Sequence, residues 1–351
     1  MRALVTGASG FVGSALCRSL ADGGHAVVAV SRTPEAARAR VGAREGVEFA
    51  EGGVGRPEQV AEAAKGCDAI FHAAGAPPVH VPARVLRWLH VAGTENVVRA
   101  ARHAKVRRLV HISCAEVSLT GDDRMHWDEK RALPREPEGL FARTKLMAEE
   151  IALSSSDEHL GISAIRPALL WGPDDVDGMG RLAQELLSGT FALYDGGRNV
   201  LATTHIDQLT DAAIKAASRE CTRARAYYIT DGEFMEAREL YPRFAKALGL
   251  SLPRGSRSLA LALLQAKLQR LLGDHGAALT RVLRRGKSAL FDMSQAVADL
   301  DYSPCADFDG KMEALGAWIA AAGGAEALAK RCRPLPRAED VDDQVKAAGG
   351  D

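Results

Sequence analysis

The residues best suited to chemistry stand at the start of the chain. Leu4-Val5-Thr6-Gly7-Ala8-Ser9-Gly10-Phe11-Val12-Gly13 forms a Gly-x-x-Gly-x-x-Gly run between an apolar stretch and a helical pattern. Gly7 suits the tight turn after a strand, Gly10 lets backbone approach an anion, and Gly13 lets the next helix pack closely on a sheet. A pyrophosphate would then rest on the amides of the helix N-terminus, where the dipole favours negative charge. The residues expected to touch a dinucleotide there are Gly7, Ser9, Gly10, Phe11, Val12 and Gly13. The next apolar run ends Val28-Ala29-Val30-Ser31-Arg32. A carboxylate at that edge would bind a ribose 2′-hydroxyl and repel a 2′-phosphate, whereas Arg32 would pair with the phosphate. NADP is therefore expected over NAD.

Such a loop works only where a strand and a helix hold it. Apolar runs predict strands at residues 3–6, 26–30, 47–50, 69–72, 109–113 and 163–166, with helical patterns between them at 13–22, 57–65, 84–103 and 141–154. Strands alternating with helices imply a parallel sheet covered on both faces, with right-handed crossovers. Past residue 172 the pattern loosens to helices at 180–188, 207–217, 258–272 and 311–322 and a strand at 226–229. The expected fold class is α/β, a doubly wound parallel sheet of Rossmann type with a smaller C-terminal substrate lobe. Residues 1–170 would form the dinucleotide-binding domain, with 200–232 returning to it. Residues 171–199 and 233–330 would form the substrate lobe. Residues 331–351, polar and interrupted by two prolines, read as a flexible tail.

Composition narrows the function classes. The 351 residues are 47% hydrophobic and 26% charged, with 45 basic and 45 acidic side chains. A zero net charge gives no basic field for nucleic acid. No apolar run approaches the ~20 residues needed to span a bilayer, and the first residues lack a signal segment. Six scattered cysteines without a C-x-x-C pair argue against a zinc site or a disulfide framework, so no metal is expected and the cytoplasm is the expected compartment. The expected partner is a small-molecule substrate, largely apolar, and a second copy of the chain is a further candidate. The leucine-rich segment 258–272 would line an apolar pocket, rest on a membrane surface, or simply pack on the C-terminal lobe.

The opening Thr-Gly-x-x-Gly-x-x-Gly resembles the extended short-chain dehydrogenases/reductases, and more narrowly their 3β-hydroxysteroid dehydrogenase and NAD-dependent epimerase/dehydratase branch. Phe71-His72-Ala73-Ala74-Gly75, Val91-Ala92-Gly93-Thr94-Glu95-Asn96-Val97, Arg166-Pro167 with Trp171-Gly172-Pro173, Thr204-His205-Ile206-Asp207, and Phe291 to Ala296 with Tyr302-Ser303-Pro304 are similar to further segments of that family. The resemblance spans roughly residues 1–320. It implies that Ala73, Ala74 and Gly75 lie beside the cofactor. An acidic residue that often touches adenine in the family has no counterpart near Gly53.

The resemblance also implies a Tyr-x-x-x-Lys helix, a Ser or Thr after the fifth strand, and a helix asparagine. Here the run is Phe141-Ala142-Arg143-Thr144-Lys145, so the lysine is present and the tyrosine is not. Of the five tyrosines none precedes a lysine by four residues. Cys114 takes the place of the hydroxyl residue, with Ser113 one position away, and His90 takes that of the asparagine. Phe141 has no proton to give, and a positioned acid is typically worth ~10²–10⁴ in rate. The candidate catalytic residues are thus Lys145, Cys114, Glu116, His90 and Phe141, with Lys145 also holding the cofactor ribose. Cys114 also reads as a small buried thiol, Glu116 as a family residue without dehydratase chemistry, and His90 as a packing histidine. His111 reads as a core histidine, and His126, beside Asp122, Asp123 and Trp127, sits in a loop that borders the substrate in relatives. The expectation is an NAD(P)-binding oxidoreductase acting on a hydroxy or keto group of a lipid-like or secondary-metabolite substrate with a non-standard acid/base. The alternatives are a redox-neutral cyclase, isomerase or lyase, and a non-catalytic dinucleotide sensor.

Overall fold

Short apolar runs become strands here because both faces of each are covered, and the segments between them repeat apolar residues at helical spacing. The computed structural model describes residues 1–76, 82–271, 277–305 and 307–332. The first elements are β1 (Arg2–Thr6), α1 (Phe11–Asp22), β2 (Ala26–Ser31), α2 (Pro34–Val41), β3 (Val47–Glu51) and α3 (Pro57–Ala63). They are followed by β4 (Ala69–His72), α4 (Ala83–Leu86), α5 (Gly93–His103), β5 (Arg108–Ile112), β6 (Arg124–Trp127), α6 (Leu140–Ser154) and β7 (Gly161–Pro167). The chain continues through β8 (Leu169–Trp171), α7 (Val176–Leu187), β9 (Leu193–Tyr194), β10 (Val200–His205), α8 (Ile206–Ser218) and β11 (Arg225–Ile229). Then come β12 (Phe234–Glu236), α9 (Ala237–Ala247), β13 (Ser256–Arg257), α10 (Leu259–Leu271), α11 (Ala277–Gly286) and β14 (Ala289–Phe291). The last helices are α12 (Ser294–Leu300), α13 (Phe308–Ala321) and α14 (Gly324–Arg331).

Seven parallel strands form the main sheet in the order β11-β7-β5-β4-β1-β2-β3. The strand order reverses between β1 and β4, and in open α/β sheets ligands bind beyond the carboxyl ends of the strands at such a point. Val5, Ala29 and Val110 face a core built with Leu16 and Leu20 of α1 and Leu209 and Ala213 of α8. Leu4, Val28 and Leu109 face the opposite core, with Val60 of α3, Val97 of α5 and Ala152 of α6. This is the doubly wound fold expected from the sequence.

A second sheet runs β12-β10-β14-β6, with β8 paired to β10. It takes β10 (Val200–His205) as its hub, whereas β11 joins the main sheet. A third core packs Trp171 against Phe244, Phe308 and Leu315. Among the described residues no helix is long and apolar enough to cross a membrane.

Two expectations need correction. The helix predicted over 84–103 is interrupted by a π-helical turn at Arg87–Ala92, which carries His90. The segment at 124–127, read as loop, is a strand, because Arg124 and Trp127 pair with Ala289 and Phe291 of β14. Of the three readings of the 258–272 segment, packing is the one seen: Leu259 and Leu263 of α10 join a core with Tyr194, Leu279 and Leu283, Leu261, Leu264 and Leu268 point outward, and Ala262, Gln265, Ala266 and Gln269 face the cleft. The predicted tail lies outside the described residues except for its first two positions, where Arg331 ends α14 and Cys332 is buried.

Candidate active site

The loop after β1 is built so that no side chain fits inside it. Gly7 has a φ of +71°, and a Cβ on it would lie 2.8 Å from the Ala74 Cα. A Cβ on Gly13 would lie 2.2 Å from the Gly7 carbonyl oxygen, so α1 can pack this closely only on glycine. Gly10 caps α1 without a side-chain hydrogen bond, and no acidic residue stands in the first turn. The amides of that turn therefore remain suited to an anion. Ser31 at the end of β2 is buried and bonds Ser9 across the loop at 3.0 Å. Arg32 is exposed beside it, and its side chain lies over Gly53, whose Cβ would stand 3.2 Å from the Arg32 Cγ. The missing acid near Gly53 is thus the space that Arg32 uses.

Ala73, Ala74 and Gly75 continue from β4 and face Gly10, Phe11 and Val12 across one cleft of about 1740 Å³. The same cleft reaches Lys145, Phe141, Ser113, Cys114, Glu116 and His90. Every catalytic candidate from the sequence is therefore brought together, although the residues come from three separate segments.

Lys145 is buried, and its Nζ donates to the Ile112 carbonyl oxygen at 2.5 Å. Burial lowers its pKa, against opposing pulls from Cys114, Glu149 and Glu116. One turn further along α6, Glu149 takes hydrogen bonds from Arg166 of β7 at 2.5 to 3.1 Å, and both side chains are buried. That pair ties α6 to the sheet and so sets where Lys145 stands.

His90 is spent on structure. Its Nε2 accepts from the Ala76 amide at 3.2 Å and its Nδ1 lies 2.8 Å from the Thr144 hydroxyl. With Nε2 accepting, the proton resides on Nδ1. Burial holds the imidazole well below its usual pKa, helped by the charge on Lys145. His90 therefore anchors the 73–76 loop to α6 as a neutral ring, and the π-helical turn aims it there. Phe141 meets its edge, with ring centroids 5.5 Å apart, and also packs against Cys114 and Leu146.

Cys114 is a neutral thiol: burial raises its pKa well above the ordinary value, and the Glu116 carboxylate raises it further. A thiol of that kind is not a ready nucleophile. Ser113 is different. Its hydroxyl is buried at the cleft wall and finds no hydrogen-bond partner among the described residues. Glu116 forms an ion pair with Arg284 of α11 at 2.9 Å. His111 is fully buried beside His72, with ring centroids 5.3 Å apart, and does not reach the cleft. His72 itself is held at a pKa of about 3 by burial and by the charge of Lys145. His126 is exposed and also lies off the cleft. No group of metal-ligating side chains occurs among the described residues.

The model of the NAD dependent epimerase/dehydratase family matches residues 3–229. The chain belongs to that family. A 4-hydroxy-2-methyl-3-oxo-4-farnesyl-3,4-dihydroquinoline-1-oxide ketoreductase of Stigmatella aurantiaca is 31% identical over 256 residues, covering 73% of this chain and 76% of the relative. A 2-alkyl-3-oxoalkanoate reductase of Stenotrophomonas maltophilia is 33% identical over 263 residues, covering 71% and 76%. The solved structure of a dTDP-glucose 4,6-dehydratase double mutant from Streptomyces venezuelae, with NAD bound, superposes with a TM-score of 0.74. It is 24% identical and covers 93% of this chain and all of that one, a likeness of fold.

Within this epimerase/dehydratase member, sequence reasoning missed three features. Arg124 lines the cleft although its segment was read as a loop. Arg284 and Arg281 reach it from α11, a helix with no motif signal. Asp175, the N-cap of α7, also lines the cleft and is pushed up to about 7 by burial. A helical spacing of arginines at 281 and 284 was the only signal that pointed to any of these.

Proposed function

We propose that the chain is a nicotinamide-dinucleotide-dependent reductase of a keto group on a small molecule, working without the tyrosine. The observation that carries this reading is that the glycine loop, buried Lys145 and the unpartnered Ser113 hydroxyl share one cleft. Both relatives described above are named as reductases of oxo compounds. The glycine loop and the Ala73–Gly75 segment would hold the dinucleotide, with Arg32 on a 2′-phosphate, so that NADP is preferred. Residues 1–170 and 200–232 would carry this part of the work, and 171–199 with 233–330 the substrate. When bound, the dinucleotide supplies or takes up the hydride.

The chain's own groups supply the rest. Lys145 holds an ammonium where the ribose hydroxyls would lie, and its lowered pKa makes it a better acid than an exposed lysine. Ser113 donates a hydrogen bond to the oxygen that gains charge, a role that Cys114 fills only weakly. Phe141 keeps water out of the site and His90 fixes the loop that faces it. The test is transfer of label from 4-deuterated NADPH to a panel of aliphatic ketones, read by mass spectrometry. Deuterium in the alcohol product, lost in Lys145→Met and in Ser113→Ala, is expected. Tight nucleotide binding with no label transferred to any ketone would overturn the reading in favour of a redox-neutral or purely binding role.

A further inference from the structure

The wall opposite the glycine loop is unexpectedly cationic. Basic side chains outnumber acidic ones along the cleft, seven to four. The excess concentrates next to the reacting centre. Arg124 of β6 is buried in the cleft wall, where its Nη1 donates to the Ala115 carbonyl oxygen and the Ser118 hydroxyl at 3.2 and 3.3 Å. Its Nε finds no partner among the described residues. Arg284 arrives from the other side on α11, paired to Glu116.

The helix is oriented to do this. Leu279, Val282 and Leu283 of α11 pack into a core with Leu119, Tyr194 and Ala266. Thr280, Arg281 and Arg284 border the cleft. The helix is seated on the start of α6: a Cβ on Gly139 would lie 2.2 Å from the Thr280 Oγ1. Arg124 is bonded to Ala115 and Ser118, which flank Glu116 in the chain, and Glu116 is bonded to Arg284, so these three groups stand together along one stretch of the cleft wall. Two guanidinium groups thus line the cleft wall on the segment that follows Cys114, and Arg284 is the one paired with the Glu116 carboxylate. A buried, incompletely bonded guanidinium is costly unless a further acceptor meets it.

We propose that this cluster is the seat of a carboxylate carried by the substrate within a few bonds of the reacting carbonyl, with Glu116 as the internal carboxylate it competes with for Arg284. The substrate class is an acyl chain bearing both an oxo group and an acid, the acid gripped by the forks of Arg284 and Arg124. The inference rests on the keto-reductase reading for the position of the carbonyl, while the anion seat itself does not depend on turnover. A guanidinium fork matches a carboxylate in two parallel hydrogen bonds, which fixes orientation as well as adding affinity. The apolar remainder would extend past Leu169 and Leu182, which border the same cleft.

The experiment measures binding alone. The protein, loaded with NADP, is titrated by calorimetry with dodecanoate, dodecanol and dodecyl phosphate. Dodecanoate should bind at least tenfold more tightly than dodecanol. Arg284→Gln should cost dodecanoate roughly tenfold and leave dodecanol unchanged. Glu116→Gln should strengthen dodecanoate binding several-fold, because it removes the competitor while leaving the guanidinium in place. No purely structural role for the ion pair predicts that gain, and this variant keeps the test decisive if Arg284→Gln folds poorly. Equal affinity for dodecanoate and dodecanol, or weaker dodecanoate binding in Glu116→Gln, overturns the proposal. Tighter binding of dodecyl phosphate than of dodecanoate overturns the carboxylate assignment. Failure of label transfer with dodecanoate still bound through Arg284 would refute the reductase reading and leave the anion seat standing.

Discussion

The pair that positions Lys145 allows a quantitative test. Arg166 and Glu149 expose only 7% and 2% of their side chains, and three contacts between 2.5 and 3.1 Å join them. Arg166 also lies over the Tyr228 ring at 5.0 Å and cannot shed its proton. Glu149→Gln keeps the shape and removes the charge, leaving a buried guanidinium uncompensated. Loss of one partner of such a pair typically costs ~3–5 kcal/mol, a large part of the ~5–15 kcal/mol that holds a folded protein together. Urea denaturation should show that loss, with the slope of the transition unchanged. The double variant Glu149→Leu/Arg166→Met should recover most of it, because an apolar pair of similar volume carries no desolvation cost. A second readout belongs to the site. Glu149 favours the charged form of Lys145, so its neutralisation lowers the lysine pKa further and moves the alkaline edge of nucleotide binding to lower pH. A single variant within about 1 kcal/mol of wild type, or a double variant no better than the single, would refute the claim that this pair fastens α6 to the sheet.

Gly13→Ala should abolish NADPH binding by calorimetry while the circular-dichroism spectrum stays native, since its Cβ would sit 2.2 Å from the Gly7 carbonyl oxygen; affinity kept within a few-fold would contradict the cradle geometry. Arg32→Ala should weaken NADPH about tenfold or more and leave NADH unchanged, and equal losses for both would remove the 2′-phosphate role. Phe141→Tyr should not raise the rate by the ~10²–10⁴ of an added acid, because its ring already packs against His90 and Cys114; a gain of that size in steady-state assays would mean that only the hydroxyl had been lost.

Much of this site is legible in the sequence. The glycine spacing after a first strand requires a turn, a close backbone approach and a tightly packed helix, and each requirement is visible at Gly7, Gly10 and Gly13. The alternation of strands and helices carried the fold because each strand of the main sheet is covered on both faces. His90 was harder. Its position in a helix was readable, but a π-helical turn is a response to tertiary demand, here the bonds to Ala76 and Thr144, and no local preference announces it. Arg124 and Arg284 were hard to place for a related reason. Each looks like an ordinary surface arginine until β6 pairs with β14 and α11 seats on Gly139. On α10 the leucines at 261, 264 and 268 turn outward, whereas the cleft face of the same helix carries alanine and glutamine, a division that leucine-rich composition alone does not announce.

Lys145 is the residue through which cost and purpose can be separated. Its ammonium is buried and, among the described residues, donates its hydrogen bond to a main-chain carbonyl, that of Ile112. Because burial lowers its pKa in the folded chain, the unfolded chain holds the proton more tightly. Stability then rises with pH across the interval between the folded and the unfolded lysine pKa, and below that interval the full cost of burying the charge is present. At neutral pH the lysine therefore works against folding. Lys145→Met fills the same space without a charge and should raise the urea midpoint at neutral pH, with the difference from wild type shrinking as the pH climbs through the alkaline range. The same variant should lose label transfer and weaken NADPH. A site that had merely lost its tyrosine and fallen idle would have no reason to retain a destabilising ammonium beside Phe141 and Cys114. If Lys145→Met instead lowered stability at neutral pH, the lysine would be a structural tie to β5, and the inference that it is kept for its chemistry would fall.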